Sequence, residues 1–178
     1  MKVVVLCGPE SSGKSWLSGV LQAQFGGLVV SEYVRHFIDR EQRDTCYADI
    51  PSIACGQLAW EDAARARQPE LLILDTHLLS NLLWSRALFG DCPDWIEHAL
   101  LERNYDLHLL LDPQGVAWVG DGQRCQPELS ARQAFFADSL GWLQRHEQPL
   151  QVIGGDWPTR SAAALDAVRQ LLATPVVC

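Results

Sequence analysis

The chain has 178 residues, of which 48% are hydrophobic and 20% charged, which is an ordinary composition for one globular domain spanning residues 1–178. Its formal net charge is −8 and no run of Lys or Arg occurs, so the composition excludes a nucleic-acid partner, which clustered positive charge would have to bind. No apolar run approaches the roughly 20 residues of a membrane-spanning helix, and no signal-peptide pattern opens the chain, so we expect a cytoplasmic protein without membrane contact.

The first predicted element is a strand over residues 3–7, which leads directly into the sequence Gly-Pro-Glu-Ser-Ser-Gly-Lys-Ser at residues 8–15. This segment has the G-x-x-x-x-G-K-[ST] spacing of a phosphate-binding loop, and a helix-forming segment follows it. Lys14 is expected to reach the β- and γ-phosphates of a nucleoside triphosphate, and the Ser15 hydroxyl to ligate Mg²⁺. The residues predicted to bind the nucleotide are Gly8, Pro9, Glu10, Ser11, Ser12, Gly13, Lys14, Ser15 and Trp16.

The second predicted strand, residues 28–30, is followed by Glu32 and Arg35. Ligands of parallel α/β sheets bind beyond the carboxyl ends of the strands, so these side chains are candidates for the acceptor site. Glu32 can orient and deprotonate an attacking hydroxyl, and the Arg35 guanidinium can bind phosphate or ribose oxygens. The alternative is an exposed pair at positions i and i+3 of a helix.

A helical pattern over residues 52–68 precedes the third predicted strand, residues 71–74, which ends at Asp75. An Asp after an apolar strand, in a chain with a phosphate loop, is predicted to support the Mg²⁺ bound at Ser15. The alternative is that Asp75 caps the next helix. Thr76 follows in place of a Glu that would activate water, which argues against a hydrolysing motor ATPase.

Helical patterns over residues 77–104, with a break at Cys92-Pro93, precede the fourth predicted strand, residues 107–111. The Gly- and Pro-containing stretch 112–126 that follows is predicted to be a lid that closes over the triphosphate. Within it, Arg124 can stabilise charge on the transferred phosphoryl group, Asp121 can hold that arginine or touch the substrate, and Trp118 can stack on a heteroaromatic ring. A surface loop without chemistry is the alternative.

The last predicted elements are a helix over residues 130–147, a strand over 150–153 and a helix over 158–173. Strand and helix therefore alternate throughout, and the strands are continuously apolar, which predicts a parallel sheet with helices on both faces. The turn at residues 154–157 is placed on the adenine side of the site by position alone.

Other chemistries find no support in the sequence. The six cysteines form no C-x-x-C pair and are expected to be reduced, and the five histidines show no metal-ligand spacing. Neither the N-K-x-D motif of guanine-binding GTPases nor the H-x-G-H motif of nucleotidyltransferases occurs.

The chain resembles the kinase domain of NadR-type proteins, the ribosylnicotinamide (nicotinamide riboside) kinase family, also described as NadR-like ATPases. The resemblance covers essentially the whole chain and rests on the segments GPESSGKS (8–15), EYVR (32–35), LLILDT (71–76), FGDCP (89–93), YDL (105–107), LDP (111–113) and AWVGDGQR (117–124). Two positions depart from the family pattern: Trp16 replaces a small hydroxyl residue, and Ser31 replaces a tryptophan.

The resemblance implies a P-loop NTPase fold of three α/β/α layers, with a five-stranded parallel sheet in the order 2-3-1-4-5 and a nucleoside-kinase-like lid. It implies that the ATP γ-phosphate passes, with Mg²⁺, to the 5′-hydroxyl of nicotinamide riboside, giving nicotinamide mononucleotide for NAD synthesis. A kinase for another nucleoside or nucleotide, a non-kinase regulatory ATPase and a homo-oligomeric assembly stay open. The implied catalytic residues are Lys14, Glu32, Asp75 and Arg124; the implied substrate-binding residues are Glu32, Tyr33, Arg35, Trp118 and Asp121; Ser15 and Asp75 would hold the metal.

Overall fold

A five-stranded parallel sheet forms the centre of the fold in the computed structural model, which describes residues 1–173. The strand order is β2-β3-β1-β4-β5, which confirms the predicted 2-3-1-4-5 arrangement. Every predicted strand is present, with bounds that differ from the prediction by at most one residue. The strands are β1 (Lys2–Cys7), β2 (Leu28–Val30), β3 (Leu71–Asp75), β4 (Leu107–Leu111) and β5 (Leu150–Ile153).

The register of the central strand explains why its sequence is continuously apolar. Val4 of β1 pairs with Ile73 on one side and Leu107 on the other, and residues 3–7 are all buried. A strand with neighbours on both edges and helices on both faces meets no water, so every position favours an apolar side chain.

Helices connect the strands and cover both faces of the sheet. They are α1 (Lys14–Phe25), α2 (Tyr33–Glu41), α3 (Ile50–Ala66), α4 (Leu78–Phe89), α5 (Asp94–Leu101), α6 (Leu129–Arg145) and α7 (Trp157–Ala173), with a short 3-10 helix at Tyr47–Asp49. The predicted break at Cys92-Pro93 separates α4 from α5. The prediction contained no separate α2, because this helix is rich in charge and buries only Phe37, which leaves no apolar stripe in the sequence.

Two apolar cores lie on the two faces of the sheet, which confirms the three-layer architecture. One core contains Leu17 of α1 and Val168 of α7. The other contains Ala54 of α3, Leu82 of α4 and Trp142 of α6. Within residues 1–173, no helix is long and apolar enough to cross a membrane.

The segment between β4 and α6 has no regular secondary structure, as predicted for residues 112–126. We call residues 112–126 the lid and residues 8–15 the phosphate loop. Cysteines 7, 46, 55, 92 and 125 are free thiols, while Cys178 and the rest of residues 174–178 of the predicted domain lie outside the described residues.

Candidate active site

A cavity of about 260 Å³ lies beyond the carboxyl ends of the first four strands. Its walls come from the phosphate loop after β1, the start of α2 after β2, the start of α4 after β3, and the end of the lid after β4. Helix α3 contributes Ile50, Ile53 and Gln57 from the far side. Parallel strands deliver their loops to one edge of the sheet, so residues far apart in sequence meet at this cavity.

The phosphate loop depends on glycine at two positions. Gly8 has φ of 130°, and a Cβ there would lie 2.7 Å from the carbonyl oxygen of Leu111. Gly13 has φ of 96°, and a Cβ there would lie 2.6 Å from the ring of Trp157. Both positions therefore combine a left-handed backbone with a close neighbour, which only glycine accommodates.

Lys14 begins α1 and lies across the phosphate loop. Its ammonium donates to the carbonyl oxygens of Gly8 at 3.0 Å and of Pro9 at 2.9 Å. The neighbouring Ser12 hydroxyl also donates to the Pro9 carbonyl, at 2.8 Å. Lys14 and Ser15 both line the cavity, as expected for a phosphate-binding lysine and a metal-binding hydroxyl.

Glu32 lines the cavity directly before α2, and its electrostatic neighbours are the groups expected at a phosphoryl-transfer centre. Burial raises the pKa of its carboxyl group, Lys14 and Arg35 oppose that rise, and the carboxylate of Asp75 adds to it. The Arg35 Nε donates to Glu32 Oε2 at 3.3 Å. The i, i+3 pair considered from sequence does exist, but both of its members line the cavity.

Asp75 is the last residue of β3 and is 6% exposed. Its Oδ1 is buried and has no hydrogen-bond partner among residues 1–173. The N-cap of α4 is His77, and no side chain caps that helix, so the alternative role of Asp75 as a helix cap is wrong. Asp75 itself does not line the cavity, whereas Thr76 directly after it does.

The groups near the phosphate loop fit a magnesium ion. Across residues 1–173, no cluster of three or more His, Cys, Asp or Glu side chains could hold a metal. Mg²⁺ does not need such a cluster, because it usually takes one or two protein oxygens and completes its shell with water and substrate phosphates. The unpaired Asp75 carboxylate oxygen and the Ser15 hydroxyl are oxygen donors of this kind.

The lid is hydrogen-bonded to the phosphate loop through Glu10. The Glu10 carboxylate accepts from the indole Nε1 of Trp118 at 3.4 Å, from the backbone N–H of Cys125 at 3.1 Å and from the backbone N–H of Gln126. Next to it, the Ser11 hydroxyl accepts from the N–H of Val119 at 3.1 Å. Glu10 was predicted to bind nucleotide, and the structure shows that its carboxylate holds the lid.

An ion pair joins the lid to α2. Asp121 accepts from Arg35 Nη1 at 2.7 Å and lies 3.2 Å from Arg124 Nε. Burial raises the pKa of Asp121, but the hydrogen bonds from Arg35 and the Gln123 N–H and the charges of Arg35 and Arg124 together outweigh it, so the net pKa is lowered. Arg35 and Arg124 both line the cavity, so the structure brings together the two arginines that the sequence singled out.

Two predicted substrate-binding side chains point elsewhere. The ring of Tyr33 packs edge-to-face on Trp60, with centroids 4.8 Å apart, and lies against Gly56 of α3. Tyr33 does not line the cavity, because it lies on the α3-facing side of α2, and its contact with substrate stays a prediction. The Trp118 ring lies over Gly120 and its indole N–H is bound by Glu10, so it too is absent from the cavity wall.

Sequence reasoning missed the part of the cavity that faces α3 and α4. Thr76 lines it from the β3–α4 connection, Gln57 from α3, and α4 contributes Ser80, Asn81 and Trp84. The Trp84 ring packs on Phe135, with centroids 4.9 Å apart, and Trp84 also lines the cavity. No motif marks these residues, because isolated polar side chains in helical patterns look like surface positions.

Comparison with known proteins points to one family. The family model described as an AAA domain matches residues 3–160. The trifunctional NAD biosynthesis/regulator protein NadR of Salmonella typhimurium is 27% identical over 177 residues, which is 97% of this chain and 43% of that protein. This chain thus spans less than half the length of the curated relative.

Solved structures show the same fold. A NadR protein in complex with NR superposes with a TM-score of 0.81 at 21% identity, covering 99% of this chain and 53% of the other. A deoxyadenosine kinase from M. mycoides superposes with a TM-score of 0.67 at 11% identity, covering 94% of this chain and 99% of the other. The likeness to both proteins extends over nearly the whole chain.

Proposed function

Since this chain belongs to the AAA domain family and is a NadR-like P-loop domain, we propose that it is an ATP-dependent nucleoside kinase. Its proposed reaction is transfer of the ATP γ-phosphoryl group to the 5′-hydroxyl of nicotinamide riboside, giving nicotinamide mononucleotide. One observation carries the proposal: a single cavity is lined by the phosphate loop, Glu32 and Arg124. A nucleotide sensor would need the loop but not an acceptor-side carboxylate opposite it.

The proposed ATP site is the phosphate loop and the start of α1. The N–H groups of the loop and the positive end of the α1 dipole favour the phosphates. The Lys14 ammonium donates to the Gly8 and Pro9 carbonyl oxygens in this structure. With ATP bound it would donate to phosphate oxygens instead, because their negative charge makes those hydrogen bonds stronger. The residues proposed to bind ATP are those of the phosphate loop together with Trp16 of α1.

Ser15 and Asp75 are the proposed holders of Mg²⁺, Ser15 directly and Asp75 from the end of β3. The ion would neutralise charge on the phosphate oxygens during transfer. Asp75 Oδ1 is buried without a partner among residues 1–173, which leaves an oxygen free for this role. The negative charge of Asp75 also raises the pKa of the Glu32 carboxyl group, so the two carboxyl groups interact.

Glu32 is the proposed acceptor base. It would accept the proton of the attacking hydroxyl while that oxygen forms a bond to the γ-phosphorus and the bond from that phosphorus to the β–γ bridging oxygen breaks, releasing ADP. Burial raises the pKa of Glu32, and a carboxylate with a raised pKa takes a proton more readily than an exposed one.

Arg124 is the proposed stabiliser of charge on the transferred group. Its position is set by Asp121, which also binds Arg35 and so links the lid to α2. The hydrogen bonds from the lid to Glu10 and Ser11 support closure over the phosphates, which excludes water from the transfer centre.

The test is ADP release measured over a panel of nucleosides that includes nicotinamide riboside, with ATP and Mg²⁺ present. We expect ADP formation that depends on an added nucleoside, with nicotinamide riboside giving the highest kcat/KM. Highest activity with another nucleoside would assign the same cleft to a different acceptor. ADP formation that no nucleoside stimulates would overturn the kinase proposal in favour of a regulatory ATPase.

A further inference from the structure

Thr76 has a backbone conformation that its side chain disfavours. Its φ is 77°, in the left-handed region, and it is 2% exposed. A β-branched residue in this region is a genuine outlier, which persists only where surrounding contacts enforce it. The Thr76 N–H donates to the Leu6 carbonyl of β1 at 3.1 Å, and the next residue, His77, is fully buried.

The fold itself does not use the Thr76 hydroxyl. Its Oγ1 is buried and has no hydrogen-bond partner among residues 1–173, although Thr76 lines the cavity. A turn that merely needed positive φ would favour Gly or Asn, which adopt it at lower cost. A strained threonine with an unpaired buried hydroxyl therefore points to a ligand rather than to folding.

Asn81 repeats this pattern one turn into α4. Its side chain lines the same cavity, and its Oδ1 is buried without a partner within the described chain. Unpaired buried polar atoms are rare because each one costs stability. Both residues line the same cavity, so a ligand that gains access to these two oxygens would supply their missing partners.

We propose that Thr76 and Asn81 form the sugar subsite of the acceptor and hydrogen-bond its vicinal ribose hydroxyls. The amide oxygen of Asn81 can only accept, whereas the Thr76 hydroxyl both donates and accepts. A vicinal diol matches this pair, because each of its hydroxyls can donate or accept. This inference rests on the proposed kinase function and adds to it a preference for ribosides over deoxyribosides.

Chain connectivity supports this location for the sugar. The reacting hydroxyl has to meet Glu32 and the phosphate loop, and the ribose ring is covalently attached to that hydroxyl. Thr76 lines the same cavity as Glu32 and Lys14, so a sugar whose hydroxyl meets Glu32 lies within that cavity as well. The apolar side chains of Ile50 and Trp84 also line the cavity and remain for the base.

The test compares nicotinamide riboside with its 2′-deoxy and 3′-deoxy analogues in the wild-type protein and in Thr76→Val. Valine keeps the β-branched shape and removes only the hydroxyl. We expect the wild type to prefer the riboside by kcat/KM, and Thr76→Val to lose about tenfold on the riboside and little on one deoxy analogue. Thr76→Ser, which keeps the hydroxyl, is the matched control and should retain the preference; Asn81→Leu should lower it independently.

Equal losses by Thr76→Val on riboside and deoxyriboside, together with equal losses by Asn81→Leu, would overturn the inference and leave the kinase proposal standing. Calorimetric titration of the same nucleosides into ADP-bound protein separates the two ideas when turnover is absent. Riboside-selective binding that Thr76→Val removes would support the sugar subsite while the kinase proposal fails. Absence of both turnover and nucleoside binding would overturn both. Thermal unfolding of each variant identifies misfolded protein, and the Asn81 variant tests the subsite if Thr76→Val does not fold.

Discussion

The phosphate half of the cavity, formed by the phosphate loop, has hydrogen-bonded polar groups at Lys14 and Glu10, whereas the acceptor half, formed by Glu32 and the start of α4, contains buried oxygens without a partner in the described chain. In the phosphate half, Lys14 is paired with two loop carbonyls, and Glu10 accepts from the lid. In the acceptor half, Thr76 and Asn81 each have a buried oxygen without a hydrogen-bond partner in the described chain.

This difference indicates how each half would meet its ligand. On binding in the phosphate half, the internal hydrogen bonds of Lys14 would be replaced by stronger bonds to charged phosphates. Binding in the acceptor half would be a completion, because unpaired buried groups, which cost about 1–3 kcal/mol each, gain partners. A site of the second kind is selective, since a ligand lacking the right group leaves the cost in place.

Substitution of Lys14 in the phosphate half should have the largest effect on turnover. Lys14→Ala removes the ammonium that would meet the β- and γ-phosphates, and we expect kcat for nucleoside-dependent ADP release to fall by about a thousandfold. Steady-state kinetics measures it, and circular dichroism checks that the sheet is intact. Turnover within threefold of the wild type would show that Lys14 does not contact the transferred group.

Low pH should lower the free energy of unfolding, because it protonates a buried histidine near the acceptor half. His108 Nε2 lies 3.2 Å from Nε2 of His77, the residue that follows Thr76 in the chain. Burial lowers the pKa of His108 to about 4. The unfolded chain protonates this histidine near pH 6.5 and the folded protein only near pH 4, so stability is complete above pH 6.5 and is lost as pH falls through that window.

We therefore expect His108 to lower the free energy of unfolding by about 2–3 kcal/mol when the pH falls from 7.5 to 4.5. Urea unfolding at several pH values measures this. His108→Gln should show a shallower decline, and an identical decline in both proteins would assign the acid sensitivity to other groups.

Glu32 tests whether the two halves cooperate in transfer. Glu32→Gln keeps the size of the side chain but cannot take a proton, so kcat should fall by about a hundredfold while the KM for ATP changes little. ADP release at varied ATP and nucleoside concentrations gives both constants. If turnover survives in Glu32→Gln while Lys14→Ala abolishes it, the assignment of the acceptor base is wrong.

The lid contacts of Glu10 should give the smallest effect. Glu10→Ala removes the acceptor for Trp118, Cys125 and Gln126, so Arg124 is held less firmly at the cavity. We expect kcat to fall by about tenfold and nucleoside-independent ATP hydrolysis to rise, because water reaches the phosphates. Glu10→Gln retains one carbonyl acceptor and should lie between the two; wild-type values in Glu10→Ala would show that these bonds do not position the lid.

The sequence alone predicted the sheet and the phosphate half well. Each strand lies within one residue of its predicted bounds, because each is a short and mainly apolar run in the sequence, and β1 and β3 are buried along nearly their whole length. The phosphate loop is likewise a contiguous motif, whose glycines have the positive φ that the motif requires at Gly8 and Gly13. Local patterns of this kind need no knowledge of distant contacts.

Only the tertiary structure decided which side chains share the acceptor half. Tyr33 and Glu32 are adjacent in sequence, yet Glu32 enters the cavity while Tyr33 packs on α3. Thr76 has a positive φ, and Thr76 and Asn81 each have an unpaired buried oxygen; neither property can be predicted from the sequence. Motif and periodicity therefore determined the strands and the position of the phosphate loop, whereas the orientation and burial of single side chains, set by long-range packing, decided the candidate acceptor site.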